Sequence, residues 1–307
     1  MVRPAAADSL LPMTIPASAL ALLCAALWGG TSVAIQFSQD AWPPLGTAGM
    51  RFALGVMVVG LWCLVGRQPM RIQPGQGVPI IVVGVMLFVQ IALFHIGLNR
   101  TDSAHGSVMI GSNPLWVALL AHFALKGDRL TALKILGLLV ATAGVVIVVV
   151  GAEGAKDSAR VSATLTGDAI VLVSSWLLGL KMVYTKHGLA SVEPAKLLFW
   201  SSLLGTVLLL AAGAIFEGVD GYRYSRASLL GLLYQGLVVA GFCFAAWTWL
   251  LRRHRASQLA VFGFAQPLFG MLFGVWLRGD AVNPALLIGG ASVAAGILIV
   301  TRQNRAT

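Results

Sequence analysis

The chain has 307 residues, 58% of them hydrophobic and only 10% charged, with a formal net charge of +10. Soluble domains carry about a quarter charged residues, so this composition excludes a soluble globular protein and implies an integral membrane protein. The basic balance does not point to nucleic acid, because the Lys and Arg residues sit in short gaps between apolar runs and form no aromatic-interleaved tract.

Ten runs are long and apolar enough for a membrane helix of about 20 residues. They are 15–37, 44–66, 77–98, 103–125, 131–150, 165–188, 194–216, 228–250, 257–277 and 284–301. The first passes twenty residues without a small-x-small cleavage site, so it reads as a membrane helix and not as a removed signal peptide. The gaps are short and marked by turn residues ("QDAWPP", "NRTDS", "KGDRL", "RGDAVNP"), except for 151–164, which reads as a linker between two halves. Basic residues such as Arg67, Arg71, Lys126, Arg129, Lys186, Arg252, Arg253 and Arg255 concentrate in alternate gaps. The positive-inside rule then puts both termini in the cytoplasm and the linker outside. Cys24, Cys63 and Cys243 are scattered in apolar runs, a spacing that fits small buried hydrophobes and neither a zinc site nor a disulfide framework.

The halves repeat. "NPLWVALLAHFALKGDRLTALKILGLLVATAGVVIVV" (113–149) aligns with "QPLFGMLFGVWLRGDAVNPALLIGGASVAAGILIV" (266–300). Gly127-Asp128 matches Gly279-Asp280, and Gly137 and Gly144 match Gly289 and Gly296 at the same spacing. More faintly, "PLGTAGMRFALG" (44–55) matches "PAKLLFWSSLLG" (194–205), and Trp28 corresponds to Trp176. With five helices per copy, the second copy must cross the membrane in the opposite sense. The expected fold is therefore an all-α polytopic membrane protein. Its ten transmembrane helices form two inverted five-helix repeats, 15–150 and 165–301, around a central cavity.

With "LWGGTSVAIQ", "MRFALG" and the repeated Pro-Leu block on the page, the chain resembles the drug/metabolite transporter superfamily, in its ten-helix EamA type. Within that type it is similar to the amino-acid exporters of the YddG group. Both turns read Gly-Asp where the family commonly has Glu. The resemblance implies export of small metabolites, amino acids being a frequent substrate, across a bacterial inner membrane.

Asn113-Pro114 and Gln266-Pro267 fall near the centres of the fourth and ninth runs. Each proline frees a backbone carbonyl four residues earlier, Ile110 and Gly263. Lipid offers those carbonyls no partner, so they must face protein or a wet cavity. The amides beside them either tie the kink to a neighbouring helix or line a substrate site at the repeat interface, the reading their symmetric recurrence favours. His105, Met109, Ser112 and Trp116 form one helical stripe, Trp28, Thr31, Ser32 and Gln39 a second, and Gln90 and Phe94 a third. The alternative for all three is helix–helix packing, which Gly29, Gly30, Gly111 and Gly270 also suggest. Trp42, Trp62, Trp247, Trp249 and Trp276 sit near predicted helix ends and suit an interfacial belt, whereas Trp28, Trp116 and Trp176 are deeper.

A charge inside a membrane helix costs at least about 2.5–3.5 kcal/mol against lipid and is by default a functional candidate. Lys181 either snorkels to the cytoplasmic surface or serves as a cavity cation for a substrate carboxylate. For Arg51, expected in the outer third of its helix, snorkelling or a bond to a loop carbonyl is the reading. His95 and His105, near the outer ends of their runs, either gate the outer mouth or are structural, and the structural role is the reading. Because Arg51 and Lys181 are expected at opposite ends of the membrane, phosphorylated substrates are disfavoured.

The chain has 11 acidic residues, and none falls at the centre of a run. Substrate movement without obligatory proton antiport follows as the expectation. There is no nucleophile–base arrangement, Walker loop, H-E-x-x-H motif or pair of intramembrane carboxylates. The expected function is thus a secondary transporter exporting amino acids with aromatic or apolar side chains. Purines, drugs or other metabolites are the alternative cargo, and a membrane-embedded enzyme is disfavoured. The expected partners are a small-molecule substrate and the lipid bilayer, with no nucleic acid, cofactor or metal. The candidate substrate-binding residues are Trp28, Ser32, Gln90, Asn113, Pro114, Trp116, Trp176, Lys181, Gln266 and Pro267.

Overall fold

The computed structural model describes residues 13–101, 109–125, 128–153, 165–218, 221–223, 225–278 and 284–302. His105, Gly127, Gly279, Asp280 and all but the first residues of the 151–164 linker lie outside the described residues. Among the described residues every regular element is helical and no strand occurs.

The first run is two helices, α1 (Ile15–Gly29) and α2 (Thr31–Gln39), followed by α3 (Pro44–Val65) and α4 (Gly77–Leu98). After these come α5 (Asn113–Ala124), α6 (Ala132–Glu153), α7 (Leu165–Gly188) and α8 (Pro194–Phe216). The eighth run comprises α9 (Arg226–Leu233), a π-helix (Tyr234–Cys243) and α10 (Phe244–Arg253). The ninth comprises α11 (Ala256–Ala260), a 3₁₀ turn (Val261–Phe264) and α12 (Ala265–Arg278), and α13 (Pro284–Arg302) closes the chain. Among the described residues six segments are long and apolar enough to cross a membrane: Ile15–Gln39, Pro44–Val65, Gly77–Leu98, Leu165–Gly188, Pro194–Phe216 and Arg226–Arg253. Met109–Ala124, Ala132–Ile147 and Leu287–Val300 are shorter apolar helices.

Among the described residues four runs expected as continuous helices are interrupted, and three of the interruptions have a partner on another helix. At Gly30 the first run breaks, and the hydroxyl of Tyr234 donates to the carbonyl of Leu27. In the fourth run Ser112 separates a short turn from α5, where Pro114 occupies the first turn, a position that needs no backbone donor. The Ile110 carbonyl accepts from the Ser175 hydroxyl at 3.3 Å. The 3₁₀ turn precedes Pro267 in the ninth run. In the eighth run the π segment packs two glycines on α3, where a Cβ at Gly236 would lie 2.5 Å from the Leu54 side chain and one at Gly241 2.8 Å from Val58.

Close glycine contacts set the neighbours elsewhere. A Cβ on Gly137 would sit 2.9 Å from the Gly296 carbonyl, and one on Gly144 2.7 Å from the Gly289 carbonyl. The glycines aligned by the repeat thus meet one another across an antiparallel α6–α13 pair. Gly29 of α1 lies against Gly270 of α12, and Gly179 of α7 against Trp116 of α5.

Polar side chains strap the bundle ends. At one end Asp128 is buried with Lys134 at 3.0 Å, and Lys134 also donates to the Ser257 hydroxyl at 3.1 Å. The Ser257 amide donates to Asp128 at 3.0 Å, tying the α5–α6 connection to α11. Nearby, Lys186 donates to the carbonyls of Leu251 and His254 and so caps the C-terminus of α10. At the other end Glu217 accepts from the amides of Leu45 and Gly46 at 2.8 and 2.9 Å. A carboxylate there stabilises the N-terminus of α3.

Candidate functional site

Helices α1, α2, α3, α4, α5, α7, α8, α10 and α12 surround a cavity of about 180 Å³. Its wall is mainly apolar. Trp28 of α1 packs edge-on against Trp247 of α10 with centroids 4.7 Å apart and against Phe244 at 6.1 Å. Phe244 in turn meets Phe52 of α3 at 5.5 Å. Trp28, Trp247 and Phe244 form an aromatic wall backed by Phe52, and Phe94 contributes a further ring from α4.

Polar groups interrupt that wall at the helix breaks. Thr31 and Ser32 follow the Gly30 break, Asn113 follows the Ser112 break and Gln266 follows the 3₁₀ turn. Asn113 also donates to the Ser175 carbonyl at 3.2 Å, so its amide both anchors α5 to α7 and reaches the cavity. The two prolines cross one another: Pro267 lies beside Gly111, and Pro114 beside Gly263, each 3.4 Å from where a Cβ would stand. The breaks of the fourth and ninth runs therefore face each other next to the cavity.

Lys181 is buried, donates to the Gln90 side-chain oxygen at 3.2 Å and lies 5.6 Å from the Phe244 ring centre. Gln90 is held by Ser174, donating to its hydroxyl at 3.1 Å while its backbone carbonyl accepts from the same hydroxyl at 2.9 Å. Lys181 therefore does not snorkel. Arg51, expected to reach outward, is 3% exposed and lines the same cavity. Its helix is enclosed on its flanks, because Gly49 and Gly55 bring α3 against Leu210 and Ala240. The two cations thus share one site, which removes the argument that set them at opposite ends of the membrane.

Of the ten candidates, Trp28, Ser32, Gln90, Asn113, Lys181 and Gln266 line the cavity. Pro114 and Pro267 shape the breaks from behind it. Trp116 turns to α7, with its indole N–H donating to Ser112 at 3.1 Å, and Trp176 is 40% exposed on the outside of the bundle. The Met109–Ser112–Trp116 stripe is accordingly an α5–α7 interface, in which Ser112 also meets the Ser175 hydroxyl at 3.0 Å. Gln39 leaves the cavity and contacts His95 at 3.4 Å.

Trp247, assigned from sequence to the interfacial belt, forms part of the cavity wall, as do Phe244 and Thr248. The segment runs on to Arg253, so Trp247 stands further from its end than the expected run to residue 250 implied, and it packs edge-on against Trp28. Trp249, at the same level, keeps a belt-like place with Arg253 stacked on its ring at 3.9 Å.

Comparison with known proteins agrees with this architecture. The EamA-like transporter family model matches residues 15–150 and again 165–302. The chain is 25% identical over 278 residues to a Bacillus subtilis (strain 168) protein named Uncharacterized transporter YoaV, covering 90% of this chain and 93% of that one. It is 23% identical over 289 residues to an Escherichia coli (strain K12) protein named Probable amino-acid metabolite efflux pump, covering 91% and 93%. A solved crystal structure shares the fold at a TM-score of 0.79 and 22% identity, covering 93% of this chain and 98% of its own. With both halves of a helical bundle matched around one central cavity, the chain belongs to the EamA-like transporter family and is a membrane transporter, not an enzyme.

Proposed function

We propose that the protein exports amino acids with aromatic or apolar side chains, or closely related metabolites, across a bacterial inner membrane by alternating access. The observation that carries this reading is the cavity itself: an aromatic wall of Trp28, Trp247 and Phe244 faced by Asn113, Gln266, Arg51 and Lys181. Apolar walls with a few convergent polar groups suit a small organic solute. The Escherichia coli relative named as a probable amino-acid metabolite efflux pump supports the same class.

The reading includes ten membrane crossings in two inverted repeats, 15–150 and 165–301, with the 151–164 linker outside and both termini cytoplasmic. Corresponding helices make corresponding contacts: α1 packs on α12 through Gly29, and its counterpart α7 packs on α5, the counterpart of α12, through Gly179. That exchange is what a pseudo-twofold axis in the membrane plane produces. The aligned glycines of α6 and α13, meeting antiparallel, support it too.

Purified protein in liposomes, tested against a panel of radiolabelled amino acids, purines and drugs, checks the proposal. Aromatic and branched amino-acid-type solutes are expected to cross faster than in empty liposomes. A panel in which nothing crosses above that background would sink the reading.

A further inference from the structure

Two cations occupy the cavity, and neither meets a carboxylate. Arg51 is 3% exposed, and its Nε and Nη1 atoms have no hydrogen-bond partner among the described residues. Its guanidinium rests 5.2 Å from the Phe52 ring centre. Lys181 has one side-chain partner, the neutral oxygen of Gln90, and the Phe244 ring at 5.6 Å. The Phe52 and Phe244 rings touch each other, so the two cations stand on adjoining parts of one aromatic wall. Among the described residues no Asp or Glu lines the cavity.

A buried cation is stable only when paired and hydrogen-bonded. A buried arginine whose N–H groups find no acceptor in the protein favours an anionic ligand that supplies one. A guanidinium stays charged when buried and pairs favourably with a carboxylate, and Lys181 adds a second positive point. An ammonium group on the cargo finds the reverse situation. It has no carboxylate to meet, and the faces of Phe52 and Phe244 already serve Arg51 and Lys181.

Resting on the transport reading above, we infer that the cargo is a net anion: an aromatic or branched carboxylate whose amino group is absent or acylated, such as a 2-oxo acid or N-acyl amino acid. Arg51 and Lys181 bind its carboxylate, the Trp28–Trp247 wall takes its apolar body, and Asn113 and Gln266 are placed for its carbonyl or amide group. Free zwitterionic amino acids are the weaker cargo.

The test uses the full chain in proteoliposomes with four matched solutes: phenylpyruvate, N-acetyl-phenylalanine, phenylalanine and phenethylamine. The two anions are expected to cross about tenfold or more faster than the zwitterion, the scale of one charged hydrogen-bonded contact, and the amine to stay at background. Arg51→Gln and Lys181→Gln should each collapse that preference, and Arg51→Lys should restore part of it. Phenylalanine crossing as fast as its two anions, or an anion preference untouched by both Gln variants, overturns the inference while leaving the transporter reading intact. Absence of any flux sinks the aromatic cargo proposed above, and binding to the wild-type protein then decides the charge class alone. N-acetyl-phenylalanine should raise the melting temperature and phenylalanine should not, and equal shifts refute the preference. The wild-type measurements keep the inference falsifiable if a Gln variant fails to fold.

Discussion

At the residue scale, Asn113 and Gln266 look equivalent in sequence but differ in what they hold. Asn113 donates to the Ser175 carbonyl, whereas Gln266 lines the cavity with no side-chain hydrogen bond among the described residues. Asn113→Ala is therefore expected to lower stability by about 1 kcal/mol, the worth of a membrane hydrogen bond, as well as to slow transport. Gln266→Ala should slow transport at unchanged melting temperature. Equal melting shifts for the two would contradict this separation of roles. Trp28→Ala and Trp247→Ala should alter the ratio of aromatic to aliphatic flux by roughly twofold to tenfold, given about 0.5–1.5 kcal/mol for an aromatic pair. Trp176→Ala, on the outside of the bundle, should leave that ratio unchanged. Asp128 and Lys134 present a structural case, because both are buried and each is the other's charge partner. Replacing either alone strands a buried charge, so Asp128→Asn should cost about 3–5 kcal/mol. Asp128→Asn combined with Lys134→Met should cost less than Asp128→Asn alone, and a larger loss in detergent melting would contradict the pairing argument.

The helices themselves were expected with nearly the ends they have. The second, third, sixth, seventh and tenth runs begin or end within two residues of α3, α4, α7, α8 and α13. Prolines explain part of that legibility, since Pro44 and Pro194 sit in first turns where the missing N–H is harmless. The breaks were less legible. Gly29-Gly30 and Asn113-Pro114 mark weak points in otherwise apolar helical runs, but what makes the breaks tolerable is a hydroxyl from another helix: Tyr234 for Leu27, Ser175 for Ile110. Glycine packing gives this scale its test. A Cβ on Gly296 would stand 2.5 Å from the Gly137 carbonyl, while one on Gly290 in the same helix meets nothing within 4 Å. Gly296→Ala should therefore destabilise by about 1–3 kcal/mol through overpacking, and Gly290→Ala should not. Melting in detergent distinguishes them, and parallel losses would put the α6–α13 contact elsewhere.

For the whole molecule the open question is which face is which. Cys24, Cys63 and Cys243 are all buried, so an impermeant thiol reagent meets little native background. Ser158→Cys in the linker is expected to label on intact cells, and Gln73→Cys, in an exposed turn before α4, should label only after lysis. The opposite pattern would invert the topology. Composition and the repeat by themselves determined that the chain is helical, membrane-embedded and built of two related halves, because hydrophobic length and matched glycines and prolines are local or periodic properties of a sequence. They also marked Trp28, Gln90, Asn113, Lys181 and Gln266, whose polar or aromatic character stands out against an apolar run. The tertiary structure alone decided which way each side chain turns. It put Arg51 beside Lys181, brought Trp247 onto the cavity wall and turned Trp116 and Trp176 away. Those outcomes depend on helix phase, and phase is reset wherever a glycine break, a 3₁₀ turn or a π segment changes the residues per turn. A face projected at one constant period cannot follow such resets; only the packing of one helix against its neighbours determines them.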